Sequence, residues 1–230
     1  MPSTDNNLIA QLPNRDRAAL LAIAKAVPLD LGAAMYTPGD PTRHVYFPTL
    51  GFISLVTATG DEPGLEVGMV GSEGMLGAQL ALGVSTIPLR AIVQGEGSAL
   101  RIDAAPFRRL LADSKALQSG LNRYLYVLMA QLATSAACTR FHGVGPRLAR
   151  WLLMSHDRAH ADTFRLTHEF LAFMLGVRRV GITGAASELQ RLGLIRYRRG
   201  LIHVLDRTGL EQAACSCYAA DRSAYVRMFG

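Results

Sequence analysis

The stretch LGVRRVGITGAASELQRLGLIRYRRG, residues 175–200, holds six arginines and one acid, with the arginines gathered at its two ends and an apolar pattern between them. A solvated face mixes its signs, so this segment is built to meet something negative. Ile182, Ala186, Leu189 and Leu192 recur at helical spacing. That spacing predicts a helix turning these four residues to the core and leaving Thr183 and Ser187 on its other side. Before it, LTHEFLAFMLG (166–176) predicts a second helix ended by Gly176, and after it IRYRRGLIHVLD (195–206) alternates around Arg199 and Gly200 as a β-hairpin. Two helices joined by a tight turn and followed by a hairpin make a winged helix-turn-helix.

In that geometry the second of the two helices enters the major groove by its N-terminal end. Arg178 and Arg179 then meet base edges, where arginine pairs in bidentate fashion with guanine. Thr183 and Ser187 remain available to bases or phosphates. Arg196, Arg198 and Arg199 sit on the hairpin beside the neighbouring backbone and supply sequence-independent affinity. Arg191 and Thr167 complete the set of residues expected to bind DNA.

Charge is distributed accordingly. Net charge is +6, but residues 140–230 carry 14 Arg against 7 Asp or Glu, while residues 1–139 carry 10 basic and 11 acidic residues. All of the basic excess lies in the C-terminal part, the footprint of a polyanion-binding module joined to a neutral one. Lys25 and Lys115 are the only lysines. The Arg bias fits planar bidentate recognition, and it fits a GC-rich genome equally.

At 230 residues, half of them hydrophobic, the chain suits one large domain or two small ones. MPSTDNNLIAQLPNRDR at the start lacks the basic region and apolar run of a signal peptide. The charge-free stretch 124–139 is shorter than the roughly 20 residues that span a bilayer. Three cysteines, Cys138, Cys215 and Cys217, are too few and of the wrong parity for a disulfide framework. A cytoplasmic protein with no membrane partner is expected.

Residues 8–27 show helical spacing, with Pro13 as a start signal. Residues 29–102 change character to short apolar runs bounded by Gly and Pro, which predict a small antiparallel barrel or roll. There Gly68, Gly71, Gly74 and Gly77 stand three apart. Lacking the Gly-x-Gly-x-x-Gly order and a P-loop lysine, they read as tight turns rather than a phosphate cradle. From Ala104 the period is helical again. Leu117, Leu121, Tyr124, Leu128 and Ser135, with Leu125 and Leu132 beside them, keep a repeat near 3.5 residues, which a second copy of the same helix would cover. An ordinary buried helix is the alternative. HGVGPR (142–147) interrupts that helix, and RLARWLLMSHDRAH predicts the next.

These features resemble the Crp/Fnr transcription regulators. The resemblance covers nearly the whole chain: a leading helix, a cyclic-nucleotide-binding-type β-roll, a long dimer helix and a winged C-terminal domain. It is strongest over LTHEFLAFMLGVRRVGITGAASELQRLGLI (166–195), which lies on the family's helix-turn-helix without a gap. The resemblance places Arg179 where the family has its first base-reading arginine. The family's next residue, a glutamate, is replaced by Val180 and a later arginine by Gly184, which implies a different operator. Cyclic-AMP-binding members hold the ribose through a Gly-Glu-Leu turn and the cyclic phosphate through a following arginine. Here the matching turn is Gly74-Met75-Leu76-Gly77, and the arginine position falls on Ser85 or Ile87, with Glu73 and Arg90 out of register. Thr134 and Ser135 resemble family residues that touch the base. Iron–sulfur relatives use cysteines near the N-terminus, and none precedes Cys138 here.

The expected fold is α+β: an N-terminal antiparallel β-roll of the double-stranded β-helix type as effector or sensor domain (1–112), a dimerisation helix (113–142) and a winged helix-turn-helix (143–230). The expected function is that of a homodimeric, sequence-specific regulator binding a palindromic duplex, with RNA polymerase as a further partner and cyclic AMP not its effector. Gly74, Met75, Leu76, Gly77, Ser85, Arg90, Thr134 and Ser135 are the candidate effector pocket, with no ligand named. No cofactor, metal or catalytic residue is assigned: Cys215-Ser216-Cys217 lacks a second pair, and His156 and His160 read as solvated residues at a helix end. The alternative is a nucleotide-binding regulatory subunit or enzyme that keeps the β-roll.

Overall fold

In the computed structural model, which describes residues 6–57 and 64–230, the helical pattern after residue 8 is two short helices and not one. They are α1 (Asn7–Ala10) and α2 (Asn14–Ala22). Pro13, the N-cap of α2, has no N–H with which to continue α1. The pattern also fails at its far end. Lys25–Leu29 form strand β1, paired antiparallel with β5 from Lys25↔Arg101 to Leu29↔Gly97, so tertiary pairing overrides local spacing there. The first five residues, part of the stretch read for a signal peptide, lie outside the described residues.

The remaining strands of this sheet are β2 (Ala34–Tyr36), β3 (His44–Thr57), β4 (Leu65–Val70) and β5 (Arg90–Asp103), in the order β1-β5-β3-β4 with β2 also on β5. A 3-10 turn at Ala78–Leu82 interrupts what the sequence reads as strands. Helix α3 (Ala104–Asp113) follows, and Ser114 separates it from α4 (Lys115–Phe141) by accepting the Leu117 N–H through its hydroxyl at 3.1 Å.

The chain divides into two compact units, Met1–Leu55 with Met69–Met129 and Val56–Gly68 with Ala130–Gly230. The boundary between Met129 and Ala130 falls within α4. The first unit's core holds Ile9, Leu20, Phe47, Phe52, Ile53 and Phe107. Asn6 is fully buried beneath it, capping α1 with its carbonyl and donating from its amide to Pro48 O and Gly74 O at 3.0 and 2.7 Å.

The second unit contains α5 (Val144–Ala159), β6 (Thr163–Arg165), α6 (His168–Leu175), α7 (Arg179–Arg191), β7 (Ile195–Arg198), β8 (Leu201–Val204), α8 (Arg207–Ala213) and α9 (Cys217–Phe229). Its core is Leu148, Leu152, Leu153, Leu171, Ile182, Ile202 and Leu210, each fully buried. Such side chains contribute about 1.5–3 kcal/mol apiece relative to exposure. The wing is a three-stranded sheet in the order β6-β8-β7. Its first strand escapes a sequence reading because three residues are too few to show alternation.

Candidate nucleic-acid interface

α6 and α7 are inclined at 109°, within the range of helix-turn-helix pairs. The turn between them is a glycine stop. Gly176 sits at φ +60 and donates to Phe173 O, and Val177 donates to Ala172 O, the paired bonds of a Schellman motif. α7 then presents its first turn to solvent. Arg178 is its N-cap residue and Arg179 and Val180 follow; all three are exposed. The unpaired N–H groups and positive dipole end of the helix add to the two guanidiniums, so this turn is suited to a polyanion.

Ile182, Ala186 and Leu189 are buried, as their spacing implies. Leu192 is not: it is 51% exposed. α7 ends at Arg191, and a second Schellman pair turns the chain at Gly193, with Gly193 donating to Gln190 O and Leu194 to Leu189 O. Leu194 and Ile195 therefore enter the core where continued helical spacing would have placed Leu192.

A hydrogen-bonded stack joins this helix to the wing. The Thr183 hydroxyl donates to Arg179 O at 3.1 Å, leaving its oxygen to accept from His168 Nδ1 at 3.0 Å. The His168 ring stacks on Tyr197 of β7, and the Tyr197 N–H donates to Gln190 Oε1 at 2.8 Å. His168 Nε2 is buried without a partner, which fits the neutral ring. Burial, with the nearby Arg179 charge, lowers the His168 pKa. Sequence reasoning missed His168 because its partners lie on another helix and on the wing.

The other expected contacts fall into two groups. Ser187, Arg196, Arg198 and Arg199 are exposed. Arg199 (φ 51) and Gly200 (φ 77) are both left-handed, the requirement of a type I′ hairpin turn. Arg191 and Thr167 already have local partners: Arg191 makes two bonds to Glu188, at 2.7 and 2.8 Å, and Thr167 caps α6 by accepting from Phe170 N at 3.1 Å.

Solved structures share this fold. FixK2 from Bradyrhizobium japonicum is 15% identical with a TM-score of 0.70, covering 84% of this chain and 98% of that one. The c-di-GMP responsive global regulator CLP of Xanthomonas campestris is 18% identical with a TM-score of 0.67, covering 84% and 99%. A CRP/FNR family transcriptional regulator from Thermus thermophilus is 23% identical with a TM-score of 0.67, covering 83% and 98%. No curated protein matches. Residues 146–213 match the family model of the Crp-like helix-turn-helix domain. The chain carries a Crp-like helix-turn-helix domain within a fold shared with Crp/Fnr-type structures. Helix-turn-helix domains are DNA-binding modules, and among the described residues no single helix is long and apolar enough to cross a membrane.

The candidate effector residues fall in both units. Gly74, Met75, Leu76 and Gly77 are all buried, with the Met75 and Leu76 side chains in the core. Their backbone is engaged: Gly74 N donates to Gly71 O, and Leu76 exchanges two bonds with Tyr46. Ser85 and Arg90 are exposed. Thr134 and Ser135 belong to the second unit, where Ser135 Oγ accepts from Arg150 at 3.4 Å and Thr134 hydrogen-bonds Asp221. Arg150 and Asp221 form an ion pair at 2.6 Å with both side chains about nine-tenths buried.

The residues expected along the α4 seam divide into a buried group and an exposed one. Leu117, Leu121, Tyr124 and Ser135 are buried within the chain itself. Leu125 and Leu128 are half-exposed, and Met129 and Leu132 are 67% and 39% exposed. These four share one helical face. His160 is exposed at the end of α5, as read, but His156 is not merely solvated: it bonds Asp162 through Nε2 at 2.7 Å and meets Arg207 through Nδ1 at 2.6 Å.

Proposed function

We propose that this regulator binds a twofold-symmetric operator as a homodimer, with Arg179 reading a guanine in each half-site and without cyclic AMP as its effector. The observation that carries the reading is the exposed first turn of α7, with Arg178 and Arg179 at its tip, tied through Thr183, His168 and Tyr197 to a wing that bears Arg196, Arg198 and Arg199. Base contacts come from the tip and phosphate contacts from the wing. Val180, 75% exposed beside Arg179, offers an apolar surface suited to a thymine methyl.

The exposed stripe Leu125, Leu128, Met129 and Leu132 supports dimerisation, since pairing two such stripes removes apolar surface from water. Against cyclic AMP stands the filled turn at Gly74–Gly77. A cyclic phosphate losing its water needs a paired cation and several donors. Gly74 and Leu76 spend their N–H groups inside the protein, and Ser85 carries no charge.

Selection of bound sites from random duplex DNA by the purified chain tests the proposal. Enrichment of a palindrome with half-sites about 10 base pairs apart is expected, and an asymmetric motif would overturn the dimeric reading. Calorimetry tests the effector: no heat of cyclic AMP binding is expected, and micromolar binding abolished by Arg90→Ala would reverse that conclusion.

A further inference from the structure

Three cysteines and a histidine, drawn from segments far apart in the sequence, converge inside the second unit. Cys138 lies on the last turn of α4. His142 follows four residues later, and its N–H donates to Cys138 O at 3.1 Å, so the helical geometry carries on far enough to set both side chains on one face. Cys215 lies in the turn between α8 and α9, and Cys217 is the first residue of α9. That turn is anchored where Cys215 N donates to Pro146 O, near the start of α5, and where Tyr218 N donates to Cys215 O. The Sγ atoms of Cys138 and Cys215 are 3.5 Å apart, as are Cys217 Sγ and His142 Nδ1. All four donor atoms lie within 4.8 Å of one another.

We propose that Cys138, His142, Cys215 and Cys217 form a tetrahedral site for one thiophilic divalent cation of the zinc class, which fastens the end of the long helix to the α8–α9 turn. Ion–sulfur and ion–nitrogen bonds of about 2.3 and 2.0–2.1 Å at tetrahedral angles set neighbouring donors roughly 3.5–3.8 Å apart. The two measured contacts fall at that spacing, and the widest separation needs only a small inward rotation of side chains. A donor set of three sulfurs and one imidazole selects soft or borderline ions over magnesium or calcium.

Two simpler accounts explain less. Buried cysteines commonly serve as small hydrophobic residues, and the three thiols here are 2–7% exposed. That role gives no reason for an imidazole nitrogen to join them. A Cys138–Cys215 disulfide would use two sulfurs and leave Cys217 and His142 without a function. A metal ion uses all four groups. With three thiolates it leaves one excess negative charge, which the neighbouring Arg147 and Arg150 guanidiniums are placed to offset, since both interact electrostatically with Cys138 and Cys215. His142 is half-exposed and provides the side from which an ion enters.

Cobalt(II) reports the geometry directly. Full-length protein, reduced and stripped with a chelator, is titrated with Co²⁺ and then Zn²⁺. The expected result is one Co²⁺ per chain, with the intense visible bands of tetrahedral coordination and a near-ultraviolet thiolate charge-transfer band, both removed by one equivalent of Zn²⁺. His142→Ala should weaken binding by more than the roughly 10- to 100-fold typical of losing a group that only supports a ligand. Cys217→Ser should abolish the charge-transfer band or reduce it by a third. His142→Cys, which keeps four donors, should still bind one Co²⁺ with shifted bands, while circular dichroism confirms that each variant is folded. Only the weak spectrum of hydrated Co²⁺, or binding unchanged in folded His142→Ala and Cys217→Ser, would overturn the proposal. So would non-reduced protein showing one free thiol and a Cys138–Cys215 disulfide that a reductant converts to a form still unable to bind the ion.

Discussion

The imidazole of His168 lies nearly flat on the phenol ring of Tyr197, with centroids 4.3 Å apart and planes 17° apart. This contact holds the first turn of α6 against the wing, while the same imidazole hydrogen-bonds Thr183 of α7. One side chain thus registers the two arginine-bearing parts of the proposed DNA-binding surface. Its protonation would place a second N–H in a buried position with no acceptor.

The pH dependence of stability follows from that arrangement. Because the folded pKa of His168 is lowered, the folded protein favours the neutral ring. The associated stability is fully present above the unfolded value, about 6.5, and is lost as pH falls through the lowered folded value. Denaturant midpoints measured from pH 8 downward should drop less steeply over that window in His168→Gln than in the natural protein. Equal slopes would show that His168 does not titrate as described.

Arg150 and Asp221 make a second test, on the packing of the unit itself. Their pair is buried and also engages Ser135 and Thr134. Asp221→Ala leaves an uncompensated guanidinium and should destabilise by about 3–5 kcal/mol, whereas Arg150→Met with Asp221→Leu should restore much of the loss. Denaturant unfolding of the three proteins checks this. A single variant as stable as the parent would contradict it.

How far these features were legible in the sequence depends on their range. Ile182, Ala186 and Leu189 announce α7 by spacing, and Gly176 and Arg199-Gly200 announce its flanking turns, because those signals are local. Leu192 misleads because spacing cannot show that a glycine stop ends the helix one residue earlier. The α4 seam misleads for another reason. Apolar periodicity marks Leu117, Leu121 and Tyr124 as needing cover but does not say that the chain supplies it. His168 with Tyr197, and Cys138 with Cys215 77 residues away, are juxtapositions made only by tertiary packing.

The proposed dimer seam is tested most cleanly at Met129, whose 67% exposure means that a charge there disturbs little within one chain. Met129→Glu should shift sedimentation from dimer to monomer with an unchanged circular dichroism spectrum, because pairing the stripe would bury an unpaired carboxylate. A dimer of undiminished affinity would exclude this face.

At the wing, Arg199 occupies a left-handed conformation that disfavours a residue with a Cβ by roughly 1–2 kcal/mol, a penalty that asparagine largely avoids. Arg199→Asn should raise unfolding stability by about 1 kcal/mol. It should also weaken binding to all DNA sequences alike and flatten the salt dependence by about one unit. Weakening confined to one base position would move Arg199 from the phosphate backbone to the groove.

Base reading by Arg179 is measured by the affinity of Arg179→Ala for the selected operator and for operators substituted at each base pair. The expected result is a loss of about 1–3 kcal/mol per half-site on the selected operator, relaxed preference at one symmetry-related position and unaltered preference elsewhere. An unchanged motif with a uniform loss of affinity would contradict it, because α7 would then contact DNA without reading it through Arg179.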